Sequence, residues 1–213
     1  MSITTRLNAI RETLPEGVAL LAISKFHPAE AVQEAYDAGQ RLFGESRAQE
    51  LCAKQQCLPK DIEWHFIGTL QRNKVKDIVP FVHTIQSIDS VRLMEEVERQ
   101  AAKCGRKINA LMEVHLAQED TKHGFSVEEC QALLDASPAE TYPHVRICGL
   151  MGMATNTDCE ATIRSEFARL KQLKDANPTL QVLSMGMSDD YPIAIEEGST
   201  MVRVGSSIFG HRG

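Results

Sequence analysis

Eight short apolar runs recur along the chain at roughly even spacing: VALLAIS from Val18, RLFGE from Arg41, EWHFIG from Glu63, HTIQSID from His83, INALMEVHL from Ile108, VRICGLMGM from Val145, VLSMGM from Val182 and MVRVGSSI from Met201. Several, such as VALLAI and INALMEV, are apolar at consecutive positions, as strands buried on both faces must be. Most are followed by a stretch with helical spacing. Pro28 opens AEAVQEAYDAG, which closes at Gly39, and Asp89 and Ser90 precede VRLMEEVERQAAKCG, which closes at Gly105. Ser126 precedes VEECQALLDA. These are start and stop signals of helices: an oxygen-bearing cap or proline at the entry, and glycine at the exit. Ile3, Leu7, Ile10 and Leu14 fall on one helical face and predict a short N-terminal helix.

Eight strand candidates interleaved with helices predict an α/β protein with a parallel sheet. A doubly wound sheet would usually carry a glycine-rich turn after its first strand, whereas this first strand ends in SKFHP. Eight even units fit a closed (β/α)8 TIM barrel preceded by an N-terminal helix. No Pro/Ser-rich or charge-run linker divides the chain, so residues 1–213 are expected to form a single domain.

Composition narrows the function. With 213 residues, 43% apolar and 24% charged, the chain can bury a full core. Its 23 Lys+Arg against 29 Asp+Glu give a net charge of -6, which argues against a nucleic-acid footprint or a membrane-seeking helix. Cysteines at 52, 57, 104, 130, 148 and 159 form no CxxC pair and read as separate reduced thiols. The N-terminus lacks a continuous apolar core of a secretory signal, and no apolar run approaches transmembrane length. A cytoplasmic protein is expected.

In a barrel, residues closing the strands face the active-site mouth. The polar ones here are Lys25, Glu45, Ser46, His65, His115, Ser188, Arg203, Ser206 and Ser207. Lys25 follows an apolar strand, where partial desolvation lowers an amine's pKa and favours a Schiff base; a lysine snorkelling to solvent is the alternative. Gly186, Met187 and Ser188 follow the seventh run, and Gly205, Ser206 and Ser207 end the eighth. Barrels commonly bind phosphate between these two loops, where small residues let backbone N–H groups approach the oxygens. Arg203, inside a strand, needs an acceptor that is either a carboxylate or a ligand atom. Against a pyridine nitrogen it would keep the ring unprotonated and a poor electron sink. His65 faces either the ligand or the core. His83, His123 and His144 form no metal set by spacing, so no metal is expected, and Glu119 and Asp120 read as a solvated loop beyond the strand that holds Glu113.

At these residues the sequence resembles the pyridoxal phosphate homeostasis proteins, the YggS/PROSC-like family. The matching motifs are AISKFHP (Ala22 to Pro28), FGESRAQE (Phe43 to Glu50), WHFIGTLQRNK (Trp64 to Lys74), GLM (Gly149 to Met151), SMGMSDD and GSTMVRVGSSIFG. The resemblance implies pyridoxal 5'-phosphate (PLP) bound as an aldimine to Lys25, its phosphate held by Ser188, Gly205 and Ser206, with Arg203 near the ring nitrogen. Ser46, His65 and Met187 complete the expected cofactor contacts. Ser46 and His115 stand where the family usually has Asn, which bears on polar contacts around the ring. The implied role is a carrier or regulator in intracellular PLP homeostasis without enzymatic turnover. The partners it implies are PLP, amino acids and PLP-requiring apo-enzymes, and the expected state is a monomer.

The same barrel also resembles the N-terminal domain of alanine racemases, and an amino-acid racemase is the main rival. Racemisation needs a base on each face of the substrate carbon, and in those enzymes a tyrosine of a second domain is one of them. Of Tyr36, Tyr142 and Tyr191, Tyr191 is expected nearest the mouth. A Schiff-base aldolase using Lys25 is a third reading.

Overall fold

The computed structural model describes residues 1–116 and 123–210. In chain order the elements are α1 (Ile3–Thr13), β1 (Ala19–Ile23), α2 (Ala29–Asp37), β2 (Leu42–Glu45), α3 (Ala48–Cys57), β3 (Glu63–Phe66), α4 (Arg72–Ile78), β4 (Thr84–Ile88), α5 (Val91–Cys104), β5 (Ile108–Val114), α6 (Val127–Asp135), α7 (Pro138–Thr141), β6 (Val145–Gly152), α8 (Glu160–Asp175), β7 (Val182–Ser184), α9 (Tyr191–Glu196), β8 (Met201–Val204) and α10 (Ser206–Phe209). The eight strands are all parallel and close into a barrel, with β8 pairing back onto β1. Each of the eight apolar runs contains a strand, so the (β/α)8 expectation holds.

The caps work as the sequence anticipates. Ser90 accepts a hydrogen bond from the Leu93 amide, and Gly105 closes α5 in the left-handed region at φ 61°. Between them Leu93, Met94, Val97 and Ala101 form the buried stripe. Ser126 and Glu129 make a reciprocal capping box at the start of α6. Two runs are shorter as strands than their apolar lengths suggest. VLSMGM keeps three strand residues before Gly186 turns the chain at φ 93°. MVRVGSSI divides into β8 and the short helix α10.

Alternation along the strands creates two apolar environments. Leu20, Ala22, Phe43, Trp64 and Phe66 point outward into the main core beneath the helices. Leu21, Ile23 and Met201 point inward, with Leu42, Ile67 and Val182 against them. The inward face is not wholly apolar. Arg203, Ser184, Gln86 and His65 are all buried inside the barrel and form a column of hydrogen bonds. Arg203 Nη1 donates to Ser184 Oγ at 2.9 Å, Ser184 Oγ donates to Gln86 Oε1 at 2.7 Å, and Gln86 Nε2 lies 2.8 Å from His65 Nδ1. None of the helices formed by described residues is long and apolar enough to cross a membrane.

Candidate functional site

A cavity of about 620 Å³ opens at the C-terminal ends of the strands, within the size range of small-ligand sites. It brings together six of the expected residues: Lys25, Met187, Ser188, Arg203, Gly205 and Ser206. Closure of the barrel explains this meeting, because β8 lies beside β1 and carries the end of the chain to the loop that bears Lys25. Ile23, Ile67, Met151 and Met153 supply apolar walls, and His27, Asp189 and Gly210 complete the rim. In the sequence Met151 stands out only as the end of the GLM motif, and Met153 reads as part of an apolar run.

The lysine side of the cavity is built on buried charges. Glu45, at the end of β2, accepts from Ser24 Oγ at 2.6 Å and from Lys54 Nζ at 2.6 Å. Lys54 also donates to the Ser24 carbonyl at 2.8 Å and to Glu50 at 2.7 Å, and Glu50 in turn accepts the Phe26 amide at 2.7 Å. The residues on both sides of Lys25 are thereby tied to α3. Phe26 sits at φ 67°, unusual for a residue with a side chain, while the Arg47 guanidinium lies 4.6 Å over its ring. Burial pushes the Glu45 carboxyl above its ordinary range despite Lys54, and its Oε2 has no partner.

The β7–β8 side is built from backbone and small residues. Gly186 has φ 93°, and a Cβ there would stand 2.6 Å from Ala194 Cβ and 2.9 Å from Tyr191 Cα, so this turn requires glycine. It sets Ser188 where its Oγ accepts the Gly205 amide across a long 3.3 Å. Gly205 caps α10, and the N–H groups of a first helical turn lack partners within the helix. Ser206 is exposed to the cavity and Ser207 half-buried beside it.

Between the two sides lies Arg203, buried and donating to the Ser184 carbonyl at 2.8 Å and the Gly152 carbonyl at 3.0 Å in addition to Ser184 Oγ. Burial lowers its pKa to about 10, opposed by Asp190 and Glu113. Glu113, buried on β5, is pushed up to about 7 by burial, with Asp89 adding to the rise and Arg203 opposing it.

Two expected contacts lie elsewhere. Ser46 lines a neighbouring hollow with Arg47, Phe66 and Lys74, because β2 ends at Glu45 and the chain turns outward into α3. His65 is one layer below Ile67 on the inward face of β3 and bonds to Gln86, so the core reading describes it. His115 lines a separate hollow with Gly124 and Arg169. Glu119 and Asp120 lie outside the described residues. None of the three tyrosines lines the cavity: the Tyr191 hydroxyl is 3.1 Å from Thr13 Oγ1, Tyr36 donates to Asp61, and Tyr142 is buried beside β6. Sequence spacing also missed a cluster of Glu63, His65 and His83, which pairing of β3 with β4 brings together.

Comparison with known proteins gives one consistent picture. The model of the alanine racemase N-terminal domain matches residues 1–213. A pyridoxal phosphate homeostasis protein of Pseudomonas aeruginosa is 40% identical over 200 residues, covering 93% of this chain and 86% of that protein. The PLP-bound structure of PipY from Synechococcus elongatus is 38% identical, with a TM-score of 0.87 over 98% of this chain and all of that one. An alanine racemase of Clostridium difficile superposes with a TM-score of 0.82 over 99% of this chain and 56% of its own, but at 14% identity the likeness is one of fold.

Proposed function

Because the chain belongs to the pyridoxal phosphate homeostasis protein family, we propose that it binds PLP in the cavity at the barrel mouth, attached through Lys25, and serves intracellular PLP homeostasis as a carrier or regulator rather than as an enzyme. The observation that carries this reading is that Lys25 and the loops of Ser188 and Gly205–Ser206 line one cavity, brought together by the pairing of β8 with β1. PLP carries its aldehyde and its phosphomethyl group on neighbouring ring carbons, so an amine and an anion cradle that open into one small cavity can engage both at once.

The residues fit the group. The Gly205 amide reaches Ser188 Oγ across 3.3 Å, a weak hydrogen bond that a phosphate oxygen would replace with a stronger acceptor. Ser206 adds a hydroxyl, and backbone N–H groups of the first turn of α10 add donors. Arg203 has five N–H donors and makes three hydrogen bonds within the barrel, which leaves capacity for an acceptor in the cavity. An arginine against the ring nitrogen keeps that nitrogen an acceptor. When bound, PLP supplies an aldehyde that condenses with an amine. The chain supplies the amine at Lys25, holds its neighbours through Glu45, Glu50 and Lys54, and shields the attachment with Ile23, Ile67 and Met151.

The absence of turnover is supported by the same geometry. Racemisation needs a second proton carrier facing the lysine across the substrate, and the Tyr191 hydroxyl is engaged by Thr13. The test is borohydride reduction of the PLP-loaded protein followed by peptide mass spectrometry. The adduct should fall on the peptide containing Lys25, and Lys25→Ala should lose the bound chromophore. In the same samples, added L-alanine should racemise no faster than with free PLP. An adduct on another lysine would remove the assignment, and fast racemisation lost in Lys25→Ala would restore the racemase.

A further inference from the structure

At the pole of the barrel opposite the cavity, Glu63 begins β3 and His83 immediately precedes β4. Glu63 and His83 are open to solvent, while His65 lies above them inside the barrel at 3% exposure. One donor atom from each of the three lies within 4.8 Å of the other two. We propose that Glu63, His65 and His83 form a binding site for a divalent transition-metal ion, of which zinc is the representative, with water completing its coordination.

Two imidazoles and a carboxylate are a common protein donor set for zinc. His83 Nε2 and Glu63 Oε2 are 3.6 Å apart. Two donors at the usual zinc distances on a tetrahedral ion are about 3.3 Å apart, so a shift of a few tenths of an ångström would seat both. His83 Nδ1 is 2.9 Å from Thr84 Oγ1, which orients the ring and leaves Nε2 toward Glu63. The His65 and His83 rings lie with their centroids 5.6 Å apart, inclined by 28°.

A surface Glu–His pair beside a core histidine would account for the 3.6 Å contact but not for His65 Nε2, which is buried and has no hydrogen-bond partner. An orphaned imidazole nitrogen in a barrel interior is costly, and a metal would satisfy it. Coordination through Nε2 places the ring proton on Nδ1. Gln86, whose Nε2 now faces Nδ1 and whose Oε1 accepts from Ser184 Oγ, would receive it after a half-turn of its amide, in the manner of the outer partners that orient metal-bound histidines. The site is independent of the PLP cavity, since no residue is common to both.

The experiment is equilibrium dialysis of chelator-stripped protein against Zn2+, with Co2+ as the spectroscopic probe. Wild type should take up one ion per chain, and His83→Ala, at an exposed position, should bind at least about 100-fold more weakly, as expected for losing a direct ligand. Glu63→Gln should bind at least about tenfold more weakly. The cobalt form should show d–d bands without thiolate charge transfer, which separates this site from the exposed Cys57, Cys104 and Cys159. No uptake, uptake unchanged in His83→Ala, or a thiolate charge-transfer band accompanying the bound ion would each overturn the proposal.

Discussion

The β1–β2 side and the β5–β8 side of the cavity are built by different means. On the β1–β2 side, buried charges are paired: Lys54 bonds at once to Glu45, Glu50 and the Ser24 carbonyl. On the β5–β8 side, backbone turns at Gly186 and Gly205 set the geometry, and the buried charges Glu113 and Arg203 influence each other without a direct ion pair between them. The first side therefore depends on specific long side chains, and the second on the absence of side chains. Breaking them should feel different.

The largest effect is expected from Lys54→Met. Methionine keeps the volume but leaves Glu45 buried without its cation, which should cost about 3 kcal/mol or more of unfolding free energy in urea titration. Adding Glu45→Gln should recover part of that loss, because the stranded carboxylate is gone. A single variant within about 0.5 kcal/mol of wild type would show that the pairing contributes little and that the two sides differ less than their geometry implies.

Glu113 sharpens the comparison by pH. Below its ordinary value of 4.5 the carboxyl is protonated in both folded and unfolded chains. Between 4.5 and about 7 the unfolded chain releases the proton while the folded one keeps it, so stability falls as pH rises through this window, by up to about 3 kcal/mol. Glu113→Gln should flatten that part of the stability profile of the PLP-free protein and raise stability at pH 8. An unchanged slope between pH 5 and 7 would mean that Glu113 ionises normally.

The smallest of these effects belongs to Ser206→Asp, which places a carboxylate against the proposed phosphate position at an exposed site. Like-charge repulsion of about 1–2 kcal/mol corresponds to roughly a five- to thirtyfold loss of PLP affinity, with little change for pyridoxal, which lacks the phosphate. Equal weakening of both ligands would move the phosphate away from the β7–β8 loops.

These two sides also differ in how readily they are read from the chain. Gly186, Ser188, Gly205 and Ser206 are visible because small residues cluster at the ends of two runs, and the eight runs place them at the barrel mouth. Lys25 is visible as a strand-end lysine. The clamp around it is hidden: α3 has no side-chain cap and buries a lysine on the stripe where an apolar residue would be expected, so neither the helix nor its role stands out. His65 and Ser46 illustrate a different limit. Ser46 directly follows the run RLFGE and His65 lies within EWHFIG, but whether such a residue faces the cavity or stops a layer short depends on where each strand ends, and here β2 turns away after Glu45 while Ile67 rather than His65 reaches the cavity.

The hydrogen-bonded column inside the barrel has a direction. Arginine can only donate, so Arg203 occupies a lone pair of Ser184; the Ser184 hydroxyl passes its hydrogen to Gln86 Oε1, and the Gln86 amide presents its N–H to His65 Nδ1. The imidazole proton then resides on Nε2, a choice made at the far end of the column. Reversing it takes a half-turn of one amide and leaves the Ser184 hydroxyl hydrogen without that acceptor. The hydrogen-bond order inside the barrel thus runs one way, from Arg203 beside the cavity to His65 near the opposite pole.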